Sequence, residues 1–536
     1  MDSRPSWLCL SVALIAALLL APGYASDARC QGFQGVLTYH NDDARTGQNL
    51  LETVLTQSNV NSSTFGKVIS YPVDGYIYAQ PLYVPKVTFP HKGGVHNVVY
   101  VATEHDSVYA FDADGMSASP LWHTSFINAK KGIGPVPTSL VGTDDIKPEI
   151  GITGTPVIDP STGTLYVVAK TISRAGVVQQ RLHALSITTG KEKFGGPRLI
   201  SASVKGTGDA ADKHGKISFD ALLANQRSAL LLANGIVYVA FASHGDKGPY
   251  HGWLFAYMAR GLGRVAVFNS TPNGSKGGIW QGSNAPAVDA NGNIYFGISN
   301  GTFDVNTGGS DYGDSFVRAT LAKHTISIAD YFTPFDETFL ANSDLDIGSS
   351  GALLLPDQST GPAHLSVTAD KNGTIYLLNR DSLGHFNPAD DSQIVQELFQ
   401  ETGIVLCPFA YFNNGVYFVA VNQALTRIPL VGGLFDTGAI NVASPPIGFP
   451  GASLSISANG SADGIVWVIR DDSFNSGPSI LFAYDAGNLS ELYDSSQASG
   501  GRDTAGFAVK FTTPTIANGK VYVGTQTELD VYGPLP

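Results

Sequence analysis

The chain has 536 residues, 43% of them hydrophobic and only 14% charged, with 60 glycines and 29 prolines. So much apolar material with such dense turn punctuation excludes a disordered chain and argues for a large all-β protein rather than an α/β enzyme. The formal net charge of -13 provides no basic footprint, so neither nucleic acid nor an anionic membrane surface is an expected partner.

The chain opens with "MDSRPSWLCLSVALIAALLLAPGYASDA", in which Arg4 precedes an apolar run from Leu8 to Leu20 that Pro22 breaks. Small residues Gly23 and Ala25 then fit a signal-peptidase site, so residues 1–25 read as a signal peptide of a secreted or periplasmic protein, with an uncleaved anchor as the alternative. No later stretch is apolar for the ~20 residues a spanning helix needs, so no membrane span is expected after cleavage. Cys9 falls in the signal, and Cys30 and Cys407 could form a disulfide that their positions alone do not establish.

Residues 26–64 read as an N-terminal extension, and everything from Phe65 to Pro536 reads as repeats of one unit. The clearest copy is the last, "FTTPTIANGKVYVGTQTELDVYG": strand, Gly-containing turn, strand, polar tip, strand. It aligns with "YAQPLYVP" plus "NVVYVATEHDSVYAFDADG" and with "GTPVIDPSTGTLYVVAKT" plus "RLHALSITTGKEKF". Further copies are "SALLLANGIVYVAFASHGDKGPYHGWLFAY", "SNAPAVDANGNIYFGISNGTFD", and "GALLLPD" with "HLSVTADKNGTIYLLNRD". Two weaker units follow, around "FAYFNNGVYFVAVNQ" and "GIVWVIRDD".

Eight units at roughly 45–75 residues each predict a single closed β-propeller of four-stranded blades, with seven blades as the alternative because the sixth unit is weak. The last unit stops after its third strand, while "FGKVISYPV" from Phe65 to Val73 is a strand belonging to no other unit. That N-terminal strand is expected to complete the last blade and close the ring, which leaves no exposed sheet ends.

These units resemble the repeat of the quinoprotein alcohol dehydrogenase-like propellers, the PQQ-repeat superfamily, in "TPTIANGKVYVGTQTELDVYG", "LHALSITTGKEKF" and "VVYVATEHDSVYAFDADG". The resemblance implies a propeller that binds a ligand on its channel face, with pyrroloquinoline quinone and calcium as candidate cofactors and an alcohol or sugar as substrate. Members of this superfamily also act as non-catalytic scaffolds of the cell envelope, and the fold does not choose between these roles. The chain lacks the adjacent cysteines common in the dehydrogenases and has no C-x-x-C-H haem signature.

In a propeller the tips between second and third strands converge around the channel. Here they supply Glu104, His105 and Asp106; Lys170 and Arg174; His244, Asp246 and His251; Asn300 and Asp304; Asp370 and Lys371; Asn422; Arg470 and Asp471; and Gln526. Segments leading into first strands add Glu149, Gln226, Arg227, Trp280, Asp344 and Asp346. Mixed acids, bases and amides on one concave face suit a small polar molecule or glycan.

The candidate catalytic residues are His105, Asp106 and His244, since an imidazole or carboxylate can take a substrate proton. Candidate cofactor-binding residues are Glu104, Lys371, Arg470 and Trp280, the last offering a flat ring for a quinone or sugar. Asn300, Asp304 and Asp346 are the candidate oxygen ligands for calcium. A carbohydrate-active lyase or hydrolase without quinone would instead use His105, His244, Lys371 and Arg470 on a uronate. Oligomeric state is left open.

Overall fold

A computed structural model of the chain describes residues 35–90, 93–115, 117–474 and 476–536. The signal segment and Cys30 lie outside the described residues, and Cys407 is buried. Among the described residues no helix is long and apolar enough to cross a membrane.

Eight antiparallel sheets follow one another around the ring. Blade 1 runs through Leu82–Phe89, Gly94–Thr103, Ser107–Asp112 and Trp122–Ser125. Antiparallel sheets of this kind repeat through blade 7, whose strands are Leu454–Asn459, Ala462–Arg470, Ile480–Asp485 and Glu491–Asp494. The weak sixth unit is a true blade built on Ala410–Phe412, Gly415–Phe418 and Thr426–Val431, with its outer edge split between Leu434–Phe435 and Asn441–Val442. Blade 8 consists of Thr515–Ala517, Lys520–Gly524, Glu528–Pro534 and, as its fourth strand, Phe65–Pro72, which pairs antiparallel with Glu528–Pro534 from Phe65 opposite Pro534 to Pro72 opposite Glu528. The ring is therefore closed by joining the start of the repeats to their end.

The x-V-Y-V strand of the repeat has a physical purpose beyond β propensity. Its side chains pack into apolar layers between blades, such as the cluster of Tyr166, Val168, Val239, Phe255 and Tyr257 between blades 2 and 3. Its tyrosine hydroxyl reaches across to a turn carbonyl of the following blade: Tyr100 donates to Ile187 O (3.0 Å), Tyr166 to Ala259 O (3.0 Å) and Tyr417 to Ala486 O (2.7 Å). A buried ring whose hydroxyl is satisfied contributes its full apolar area to the blade interface at no polar cost.

One mouth of the channel is sealed by residues 36–52. This segment gives or takes a backbone hydrogen bond at blade after blade: Val36 with Tyr83, Leu37 O with Ile158 N, Asp43 O with Val288 N, Ala44 O with Leu354 N, Thr46 O with Tyr411 N and Gly47 O with Ile456 N. Gln48–Asn49 then lies parallel to the inner strand of blade 7, and the Glu52 carboxylate accepts from Gly519 N in blade 8. Tyr39, His40 and Arg45 fill the channel behind this circlet, all fully buried. The Arg45 guanidinium donates five bonds, to Pro286 O twice and to Thr38 Oγ1, Tyr39 O and Asp42 O. Because the circlet binds inner strands at the ends nearest their first turns, the second-to-third-strand tips lie at the opposite, open mouth.

Candidate functional site

The open mouth holds a cavity of about 350 Å³ bounded by Asp145, Asn225, Arg227, Asp246, Trp280, Asp344, Lys371, Ile404, Phe449, Lys510 and Phe511 among others. Most of these come from segments that lead from one blade into the next, because such a segment must cross the mouth before entering the next inner strand. Trp280 presents a ring to the wall, and Phe511 and Tyr78 flank the Arg227 guanidinium, whose central carbon lies 4.4 Å and 5.4 Å from their ring centres. Arg227 is fixed by a bond from its Nε to Gly282 O (2.6 Å), while its Nη2 is buried with no partner, and it forms no ion pair among the described residues. Burial pulls this guanidinium down from its ordinary value, against the opposing effect of Tyr78, Glu104, Tyr39 and Cys407. A buried cation with an idle donor is costly unless an anion arrives to meet it.

On the other side of the cavity, Lys371 stands between two carboxylates, 2.6 Å from Asp346 Oδ1 and 2.9 Å from Asp344 Oδ1. Burial works against its charge, but Asp346 and Asp344 hold its pKa above the ordinary lysine value. Asn300 Nδ2 donates to the same Asp344 oxygen at 3.0 Å, and Asn300 Oδ1 is buried without a partner. Near them Asp314 is fully buried with neither carboxylate oxygen paired, and burial together with Asp346 pushes it well above the usual carboxylate range. Asp246 accepts from Tyr250 OH at 2.5 Å and is likewise raised by burial.

The tip of blade 1 has a different task. Glu104 is fully buried and accepts from Gly151 N (2.7 Å), where glycine is required because a Cβ would collide with the Glu104 carbonyl. Burial raises Glu104 to about 7. Asp106, also fully buried, accepts from Lys170 N (3.2 Å) and is raised well above its ordinary value by burial and by Glu104. Lys170, lowered to about 7 by burial, sends its ammonium to Leu222 O (2.7 Å), Ala224 O (3.2 Å) and His244 Nε2 (2.7 Å). Burial and Lys170 keep His244 well below the usual imidazole range and therefore neutral. These groups tie blades 1, 2 and 3 together inside the ring.

Of the sequence candidates, the structure thus brings Trp280 and Lys371 onto the cavity wall and joins Asn300 and Asp346 to Lys371 and its partner Asp344. Glu104, Asp106 and His244 lie in the sealed network beside it. His105 pairs with Glu149 at 2.6 Å, Arg470 with Asp472 at 2.9 Å, and Asp304 caps its own loop by accepting from Asp311 N at 2.8 Å. Arg227, Lys510, Asp145 and Phe511 carry much of the wall, and only Arg227 stands out in sequence, as a charge in a segment entering a blade.

The donor set does not suit calcium. Among the described residues no three His, Cys, Asp or Glu side chains gather into a metal-holding cluster, Asp304 is engaged in its own loop, and the Lys371 ammonium is already paired with both Asp344 and Asp346. A planar organic anion fits the opposite side better, where it would find the Trp280 ring and the idle Arg227 donor.

Neither a family model nor a curated protein matches the sequence. Among solved structures, the chain is similar to a quinohemoprotein alcohol dehydrogenase, ADHIIG from Pseudomonas putida HK5, at 14% identity and a TM-score of 0.56, covering 93% of this chain and 80% of that one. It is also similar to a europium-containing methanol dehydrogenase, at 14% identity and a TM-score of 0.56, covering 93% of this chain and 98% of that one. The likeness shows the fold: this is an eight-bladed β-propeller.

Proposed function

We propose that the open mouth binds a flat, carboxylate-bearing ligand of the quinone class and that the protein is an exported quinoprotein-type oxidoreductase acting on a hydroxylated substrate. The observation that carries this reading is Arg227, a buried guanidinium with an unpartnered Nη2 in a cavity that also offers Trp280 and Lys371. A bound quinone would supply a two-electron acceptor. The chain's own residues do the rest: Arg227 meets a ligand carboxylate, Trp280 offers a stacking face, and Lys371, immobilised by Asp344 and Asp346, presents an ammonium that can stabilise negative charge on a ligand oxygen. Asp246, raised by burial and oriented by Tyr250, is the carboxylate on the wall placed to accept a substrate proton. Support also comes from the two dehydrogenases of like fold.

The test is titration of the full chain with pyrroloquinoline quinone, following quinone absorbance and melting temperature. Saturable binding with a raised melting temperature is expected, since a ligand selective for the folded state stabilises it by about 2.7 kcal/mol at a hundred times Kd. Arg227→Met should abolish the effect. Absence of binding in the unsubstituted protein would overturn the reading.

A further inference from the structure

The propeller repeat does not account for one piece of the chain. After the outer strand of blade 2 at Arg198–Leu199, and before blade 3 begins, Ser203–Lys205 and Lys216–Ser218 form an antiparallel hairpin that belongs to no blade. The hairpin is pinned to the segment that crosses from blade 3 to blade 4: Gly208 N donates to Pro272 O (3.0 Å), Asp209 N to Gly274 O (2.8 Å) and Thr207 Oγ1 to Asn273 Oδ1 (3.2 Å). From the tip of blade 3, His251 Nε2 donates to Asp209 O at 2.7 Å. Between this insertion and blade 3 lies a cavity of about 510 Å³, bounded by Ser218, Phe219, Asp220, Tyr250, His251 and Trp253 among others, and it shares no bounding residue with the cavity at the open mouth.

Its walls are aromatic, and its charge has one sign. Phe219, Tyr250 and Trp253 bring three rings to it, with the Phe219 and Trp253 ring centres 5.9 Å apart and their planes at 84°. The Tyr250 hydroxyl is spent on Asp246, and both His251 nitrogens are engaged, Nε2 with Asp209 O and Nδ1 with Thr271 Oγ1 at 3.0 Å. No lysine or arginine bounds the cavity, and Lys205, Lys213 and Lys216 of the insertion are exposed. Asp220 is the one carboxylate that does bound it. Its Oδ1 accepts from Leu222 N (2.8 Å) and Leu223 N (3.2 Å), which holds the group in place, and it has no ion-pair partner among the described residues. A fixed carboxylate without a cation, beside three aromatic rings, suits a large, weakly hydrated cation: the ring quadrupoles attract it and the carboxylate supplies the counter-charge. A neutral apolar ligand would leave Asp220 unused, and a small metal ion would exchange its water for rings that cannot coordinate it.

We infer that this cavity is a binding site for a quaternary ammonium compound, one carrying a trimethylammonium head, and that it is separate from the open mouth. The inference does not rest on the function proposed for the mouth.

The experiment is calorimetric titration of the full chain with tetramethylammonium, with choline, and with 3,3-dimethylbutan-1-ol, which has the shape of choline without its charge. Saturable binding of both cations is expected, with the alcohol at least about tenfold weaker. Asp220→Asn keeps an acceptor for the Leu222 and Leu223 amides and removes the charge, and Phe219→Leu keeps apolar bulk and removes a ring. Each should weaken choline binding at least about fivefold with an unchanged melting temperature. Trp280→Ala, which alters the open-mouth cavity, should leave choline binding within about twofold, well below the effect of a lost cation–ring contact. No saturable binding of either cation, equal binding of the alcohol, indifference to Asp220→Asn or to Phe219→Leu, or loss of binding in Trp280→Ala would each overturn the inference. Quinone binding at the mouth is read in a separate titration, so either reading can fail while the other stands.

Discussion

Two arginines are buried at the two ends of one channel, and they are treated in opposite ways. Arg45, at the sealed mouth, makes five hydrogen bonds from its guanidinium to four oxygen acceptors within the protein. Arg227, at the open mouth, has one bond to Gly282 O and an idle Nη2. Both lack a carboxylate partner within ion-pair distance among the described residues, so the difference is not one of charge pairing. Arg45 is a structural strut whose needs the fold meets; Arg227 is a group whose needs the fold leaves to something else. A propeller offers this division naturally, because its two mouths are built from different parts of the repeat and one can be plugged without touching the other.

The largest effect should come from breaking the satisfied end. Arg45→Met would strand Pro286 O, Tyr39 O and Asp42 O in the interior, and losing several bonds to a charged donor at once should cost about 3–5 kcal/mol. Chemical denaturation should show that loss, and ligand binding at the open mouth should persist in whatever fraction remains folded. A loss below about 1 kcal/mol would mean that the circlet decorates the ring without supporting it.

This asymmetry also explains what could be read in advance. The ring was legible because its cause is local and repeated: the Gly turn, the x-V-Y-V strand, and the unpaired strand at Phe65–Pro72 all announce themselves. The circlet was not, because "LTYHNDDARTGQNL" has neither helical nor strand period; its shape is dictated by bonds to blade after blade whose residues lie far away in sequence. At the open mouth, Trp280 and Lys371 could be picked out as an aromatic and a charge near tips. Lys510 and Phe511 could not, since they belong to an inter-blade segment with no fixed place in the repeat. Conversely, the charged knot Glu104-His105-Asp106 looks like a surface tip, yet two of its three side chains turn inward to hold Gly151 and Lys170 backbone amides.

That inward turn has a pH signature. Glu104 is raised from 4.5 to about 7 in the folded state, so between those values the unfolded chain has released a proton that the folded chain still holds. Stability therefore falls as pH rises from about 4.5 to 7, by an amount on the order of 3 kcal/mol for this group, and flattens above. Asp106, raised by the same burial, acts in the same direction. Glu104→Gln keeps an acceptor for Gly151 N and removes the ionisation, so its denaturation midpoint should decline less steeply over that range. An unchanged slope would show that Glu104 is not the residue responsible.

Arg227→Met sharpens the contrast between the two ends by reversing the sign. Removing a buried charge with an unmet donor should leave stability unchanged or raise it by about 1 kcal/mol, because nothing in the fold depends on the bond it failed to make. Anion binding should be lost at the same time. A destabilisation as large as that of Arg45→Met would make the two arginines alike and remove the reason for assigning the open mouth to a ligand.

The smallest effect on stability is expected at the Asp145–Lys510 pair on the cavity wall. Asp145 is 56% exposed in its side chain, so the pair with Lys510 is screened by water, and Asp145→Asn should cost less than about 0.5 kcal/mol. Its consequence should instead be local. With its partner gone, the Lys510 ammonium becomes a second unspent cation beside Arg227, and an anionic ligand of the cavity should bind more tightly, with a steeper dependence on ionic strength. Unchanged affinity at low salt would place Lys510 outside the electrostatic reach of the ligand.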